Sequence, residues 1–142
     1  NYFVAAKDAK EKGFDEALLL NHEGTIAEGA GQNIFIVKSG TVYTNDETAS
    51  ILLGITRETI IQLCQELGIE IIIKDLTVNE LVDADEAFFT GTASEVTPVV
   101  SLDDKKINNG HIGEITNQLK QLYMDIVLGK SEKHLPWLTF IK

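Results

Sequence analysis

The chain has 142 residues and a mass of 15.6 kDa, with 44% hydrophobic and 24% charged residues. That is enough for one domain with its own core, and it argues against disorder. Twelve Lys and Arg against 22 Asp and Glu leave a net charge of −10 and a pI near 4.6, which argues against a nucleic-acid partner held by clustered cations. The lone cysteine, Cys64, excludes an internal disulfide and fits a reducing compartment, and no apolar run approaches the roughly 18 residues of a membrane helix.

In chain order, Phe3, Ala6, Ala9 and Lys10 recur at helical spacing over 2–12 and stop at Gly13. The run Ala17-Leu18-Leu19-Leu20 reads as a short buried strand, followed by a turn at His22-Glu23-Gly24. Ile34-Phe35-Ile36-Val37, Ser39-Gly40 and Val42-Tyr43 predict a hairpin. The clearest helix runs from Thr56 to Leu67, with Thr56 as candidate N-cap and Gly68 as its stop. Ile69 to Ile73 reads as a buried strand and Val78 to Val82 as a short helix. Two more strands, Glu86 to Phe89 and Val96 to Val100, follow with Gly91 between them, Pro98 pointing to an edge or bulge. Ile112 to Leu128 has helical spacing up to Gly129, and the tail to Lys142 is too apolar, with Leu135, Trp137, Leu138 and Phe140, to be simply solvated. No repeat or linker divides the chain. The expected fold is a single α/β domain, bordering on α+β, with a mixed sheet and packed helices.

Three places hold residues suited to chemistry. Gly54-Ile55-Thr56-Arg57 runs into the clearest helix, where outward-facing amides and the helix dipole attract an anion and a glycine allows close approach. Read alone, it is a capped helix start and nothing more. Gly91-Thr92-Ala93-Ser94, after a strand, offers amides and hydroxyls to a second anion, or is an ordinary loop. Glu28, in the small-residue stretch Ala27 to Asn33, is a turn residue facing water or a partly buried carboxylate that needs a cation. Arg57 either reaches a phosphate or faces solvent. Asp83, Asp85 and Glu86 read as a solvated loop. His22, His111 and His134 have no ligand spacing with Cys64, so no metal is expected, and Ser94 and Ser101 lack the neighbours of a nucleophilic triad.

The ordered segments Asn1-Tyr2, Asp15-Glu16-Ala17, Glu28-Gly29-Ala30-Gly31-Gln32-Asn33-Ile34-Phe35, Gly54-Ile55-Thr56-Arg57 and Phe89-Thr90-Gly91-Thr92-Ala93-Ser94-Glu95-Val96-Thr97-Pro98-Val99 resemble the branched-chain amino acid aminotransferases. These are class IV pyridoxal-phosphate-dependent enzymes, a class shared with D-amino acid aminotransferase and aminodeoxychorismate lyase. The similarity covers nearly the whole chain and implies that residues 1–142 are the large, C-terminal, cofactor-binding domain of a longer enzyme. A smaller N-terminal domain is then absent. The activity implied is transfer of the amino group between L-Leu, L-Ile or L-Val and 2-oxoglutarate, by a cytoplasmic homo-oligomer that uses pyridoxal 5'-phosphate, with no metal, nucleic acid or membrane involved.

The resemblance also implies roles for single residues. Glu28 would face the pyridine nitrogen, Tyr2 would offer its hydroxyl to the ring's phenolic oxygen, Leu52 would pack on the ring, and Gly31 would line the site. Gly54 would make room for a phosphate held by Ile55 and Thr56, with Gly91 and Thr92 adding a second contact. The amides of Thr92 and Ala93 would bind the substrate carboxylate. The family's Schiff-base lysine precedes the Asn-Tyr pair and so falls upstream of Asn1; no catalytic residue is expected within the chain, which by itself is expected to be inactive. Gln32 stands where the family often has Glu, and the prolines common near Asn45-Asp46 are missing. The same fold with D-amino acid aminotransferase or lyase activity, or an isolated cofactor-binding domain without catalysis, are the alternatives.

Overall fold

The computed structural model describes residues 2–141; Asn1, the first half of the Asn-Tyr pair, and Lys142 lie outside the described residues. In chain order the helices and strands are α1 (Tyr2–Glu11), β1 (Leu18–Leu20), β2 (Ile26–Gly29), β3 (Asn33–Lys38), β4 (Thr41–Thr44), α2 (Ile55–Glu66), β5 (Ile71–Ile73), α3 (Val78–Val82), β6 (Glu86–Gly91), β7 (Glu95–Pro98), β8 (Ser101–Leu102), β9 (Lys105–Lys106) and α4 (Glu114–Val127). Five of the strands form a sheet in the order β5-β4-β3-β6-β7. It is mixed, as expected: β4 and β5 pair in parallel across the α2 crossover, and the other pairs are antiparallel.

β3 explains the layering. Its residues alternate between two faces, and both faces are covered, so Ile34 to Val37 are all buried. Phe35 and Val37 meet α2 and α4 in one core with Ile60, Leu63, Cys64, Phe88 and Leu119. Phe35 stacks on Phe88 with ring centroids 4.9 Å apart. Ile34 and Ile36 face a second core with Ile26, Leu76, Leu81, Phe89 and Ile107. Cys64 lies on the buried side of α2, and burial pushes its thiol up to about 11.

The hairpin at Ser39-Gly40, the short helix α3, the long helix α4 and the helix stop at Gly68 (φ +69°) occur as the sequence predicts. Pro98 sits in β7, the sheet's outer strand, where a missing amide costs no ladder bond. Three expectations are corrected. β1 and β5 are half-exposed rather than buried, because β1 pairs only with β2 and β5 is the other sheet edge. The N-cap of α2 is Gly54, and Thr56 lies inside the first turn. The acidic run is a solvated loop only in part: Asp83 and Asp85 are exposed turn residues, while Glu86 opens β6. Asp85 accepts the Ser39 amide (2.7 Å) and the Lys38 ammonium (3.1 Å), which hold its carboxyl below the usual range. Glu86 in turn accepts the amides of Ile115 (3.1 Å) and Thr116 (2.7 Å) at the start of α4. Among the described residues no helix is long and apolar enough to cross a membrane.

Candidate functional site

Antiparallel register brings the beginning of β3 beside the end of β6, Asn33 opposite Thr90. The loop 29–32, the turn 92–94 and the segment that enters α2 therefore meet at one end of the sheet. Contacts confirm the meeting. A side chain at Gly91 would come within 3.3 Å of the Gly31 carbonyl and 2.7 Å of Ser94 Oγ, and one at Gly54 would come within 2.5 Å of Asn33 Oδ1.

Glu28 is the carboxylate of this rim. It belongs to β2, all four residues of which are buried, and is itself only 3% exposed. Burial demands hydrogen bonds for such a group, and three donors supply them. The Tyr2 hydroxyl donates to Oε1 (2.7 Å), while Asn33 Nδ2 and the Leu52 amide donate to Oε2 (both 3.2 Å). The bond to the carboxylate, with its charge adding, raises the Tyr2 phenol above its ordinary value. Tyr2 thus occupies an oxygen of Glu28 rather than standing free for a ring substituent. No cation pairs with Glu28 among the described residues.

The second part is the start of α2. Gly54 caps it in extended conformation with no side chain to satisfy the first amides. Thr56 is 2% exposed and its hydroxyl has no partner among the described residues. A 12-residue helix brings about half a positive charge to this point. Leu52 and Ile55 flank it, both 76% exposed, so an apolar border surrounds a polar socket.

The third part is the turn after β6. Thr92 and Ala93 are exposed, while the buried hydroxyls of Thr90 and Ser94 lack partners among the described residues. Glu16 supports the loop opposite: it accepts the Gln32 side-chain amide, the Ala17 amide (2.8 Å) and the Ala30 amide (3.4 Å).

Local sequence reading missed three buried polar residues. Asn33 begins β3 on the face that Phe35 and Val37 continue, a polar residue at an apolar position of the alternation, and that break in pattern is the one sign it leaves in sequence. Asn45 donates from Nδ2 to the carbonyls of Ile26 (2.7 Å) and Ala27 (2.6 Å). Arg57 neither reaches toward a phosphate nor faces solvent. It is 4% exposed and donates from Nη2 to the Asn45 carbonyl (2.6 Å), and loss of solvent lowers its pKa. It braces α2 against the residue that follows β4, whose side chain in turn holds β2. Two surface hollows, of about 420 Å³ beside Phe3, Lys7 and Lys10 and about 250 Å³ beside Tyr43, Lys74 and Asp83, are lined by neither Glu28 nor Thr56.

Known proteins bear directly on this arrangement. The family model for amino-transferase class IV matches residues 1–102. The chain belongs to the class IV aminotransferases. The branched-chain-amino-acid aminotransferase of Pseudomonas aeruginosa is 48% identical over all 142 residues, which span 46% of that protein. Among solved structures, a branched-chain amino acid aminotransferase complexed with N-(5'-phosphopyridoxyl)-L-glutamate superposes with a TM-score of 0.96 at 39% identity, covering 99% of this chain and 48% of that one. The branched-chain aminotransferase of Thermoproteus uzoniensis with norvaline gives 0.93 at 48% identity, covering 97% of this chain and 46% of that one. The chain spans about half the length of the relatives it matches, and the mixed α/β fold of this class IV aminotransferase is that of these neighbours.

Proposed function

We propose that the protein is a pyridoxal-phosphate-dependent aminotransferase acting on branched-chain L-amino acids with 2-oxoglutarate, and that residues 1–142 are its cofactor-holding domain. One observation carries the reading. Among the described residues, a buried carboxylate without a cation, Glu28, is tied through Asn33 to a helix start with an unpartnered buried hydroxyl, Thr56, and a glycine as its N-cap. A ligand that fits both ends has a protonated ring nitrogen at one and a phosphate at the other. The names of the relatives, and the phosphopyridoxyl compound held by one solved neighbour, support the same choice.

When bound, pyridoxal 5'-phosphate supplies an electron sink for the negative charge that develops at the amino-acid Cα. In this reading Glu28 holds the proton on the ring nitrogen. Leu52 packs on the ring and Gly31 lines its edge. Gly54 leaves room for phosphate oxygens at the amides of Ile55 and Thr56 and the Thr56 hydroxyl, with Gly91 and Thr92 closing the second side. The amides of Thr92 and Ala93 hold the substrate carboxylate. Tyr2 would offer its hydroxyl to the ring's phenolic oxygen, and to do so it would give up its bond to Glu28 Oε1. The Schiff-base lysine belongs to residues before Asn1, within the part of the relatives' length that this chain does not span. The reading extends to a homo-oligomer and to the cytoplasm, a reducing compartment that the lone free thiol of Cys64 fits.

The test is a side-by-side rate measurement on the intact protein with L-leucine and D-alanine as donors and 2-oxoglutarate as acceptor. Preference for L-leucine, with borohydride fixing the cofactor to a lysine upstream of Asn1, is the expected result. Preference for D-alanine reassigns the substrate, and absence of fixed cofactor removes the enzyme reading.

A further inference from the structure

Two groups of the site stand on different elements: the carboxylate of Glu28 on β2 and the anion socket at the head of α2. One side chain touches both. Asn33, 4% exposed, donates from Nδ2 to Glu28 Oε2 (3.2 Å) and to the Leu52 carbonyl (2.7 Å), and it accepts the Gly54 amide on Oδ1 (3.2 Å). All three of those hydrogen-bond sites lie within the machinery that the cofactor reading uses. The backbone of the Leu52–Gly54 segment is held at both ends of the same amide, and the Leu52 amide closes the ring by donating to Glu28 Oε2 (3.2 Å). Gly54 tolerates no Cβ because that atom would stand 2.5 Å from Asn33 Oδ1. The glycine is thus required by Asn33 as well as by any anion.

An asparagine suits this place because it combines a two-proton donor and an acceptor on one short planar group. Aspartate would offer Glu28 an acceptor instead of a donor. Leucine, which fits the apolar alternation of β3, would take one donor from the buried carboxylate and leave the Leu52 carbonyl and the Gly54 amide without the side chain that pairs them.

We infer that Asn33 is a positioning residue that fixes the ring-binding carboxylate and the phosphate-binding backbone relative to each other, so that the two halves of the cofactor are gripped as one unit. This rests on the cofactor reading above and adds to it a residue that touches neither half of the ligand. It follows that loss of Asn33 damages recognition of both halves, whereas loss of either direct contact damages one.

The experiment measures, on the intact protein, competition against pyridoxal 5'-phosphate by two partial ligands: 4'-deoxypyridoxine, which has the ring without phosphate or aldehyde, and inorganic phosphate. Glu28→Gln weakens the ring probe only, and Thr56→Val weakens phosphate only. Asn33→Ala weakens both by about tenfold or more, the worth of a lost hydrogen bond to a charged or buried partner. Weakening of one probe alone, or of neither, overturns the inference. A wild-type protein that binds neither probe nor pyridoxal 5'-phosphate overturns the cofactor reading instead, which separates the two failures.

Should Asn33→Ala fail to fold, Asn33→Asp carries the test, since it keeps the volume and the acceptor toward Gly54. Both probes then weaken at neutral pH, the ring probe because a second carboxylate faces Glu28 and phosphate because the Leu52 carbonyl loses its donor, and both recover toward about pH 5, where two carboxylates in contact share a proton. A pH profile parallel to wild type overturns the inference, because a purely structural defect has no reason to titrate.

Discussion

Helices α2 and α4 begin alike and are completed differently. Each opens on a glycine N-cap without a capping side chain, Gly54 and Gly113. At α4 the protein brings its own anion: Glu86, from the start of β6, takes the amides of Ile115 and Thr116. At α2 nothing of the kind arrives, and the Thr56 hydroxyl waits in the same first turn without a partner among the described residues. The fold closes one helix start with its own carboxylate and leaves the other without one among the described residues. α4 is the internal control for α2.

The largest effect that tests this contrast is at α4. Glu86→Ala lowers stability by about 2 kcal/mol, the upper range for loss of a helix-capping group, as measured by urea unfolding. Gly113→Ala does the same, because its new methyl overlaps the Glu86 carboxyl carbon and drives the side chain out. The sharper outcome is the double variant: both changes remove one interaction, so together they cost no more than either alone. An additive double would mean that Glu86 and Gly113 act separately.

At α2 the order of effects reverses. Thr56→Val leaves stability within about 0.5 kcal/mol, since the lost hydroxyl had no partner to lose. It weakens competition by inorganic phosphate about tenfold, the worth of one hydrogen bond to a charged group. A stability loss of the size seen at α4, with phosphate affinity intact, would reduce Thr56 to packing and take the anion socket with it.

The smallest effect concerns the other end of the sheet, where no ligand is involved. Asp85 has a folded-state pKa below its ordinary 3.8 because the Ser39 amide and Lys38 favour its charged form. Its contribution is therefore complete above that ordinary value and disappears as the pH falls through the lowered one. Asp85→Asn costs less than about 1 kcal/mol at neutral pH, as expected for a half-exposed carboxylate. The cost vanishes once the pH is well below 3.8, where wild type is protonated too. A cost that persists unchanged in acid would show that the charge of Asp85 does not matter.

These experiments also mark how far the chain could be read without coordinates. The hairpin, α2, α3, α4 and the edge position of Pro98 follow from local pattern, because apolar periodicity, Gly-containing turns and a proline each act within a few residues. The start of α2 was legible for the same reason, except that its N-cap is Gly54 rather than Thr56. The burial of Glu28 was not: Ile26-Ala27-Glu28-Gly29 is too short and too mixed to announce a buried strand, and it is covered only because Leu76 and Asn45 reach it from elsewhere. Arg57 shows the same limit. A first-turn arginine looks like a surface cation until the Asn45 carbonyl, 12 residues earlier, is seen to receive it. Asn33 is the intermediate case, visible as a polar break in β3 but with partners that only the fold supplies.

The lone thiol gives α2 a reporter of its own. Cys64 faces the packed interior and its proton is held to about pH 11, so alkylating reagents at neutral pH meet an unreactive, inaccessible sulfur. Labelling then proceeds only through excursions that detach this helix from the sheet. Its rate is a clock for such breathing, and an anion docked at the opposite tip should make that clock run slow.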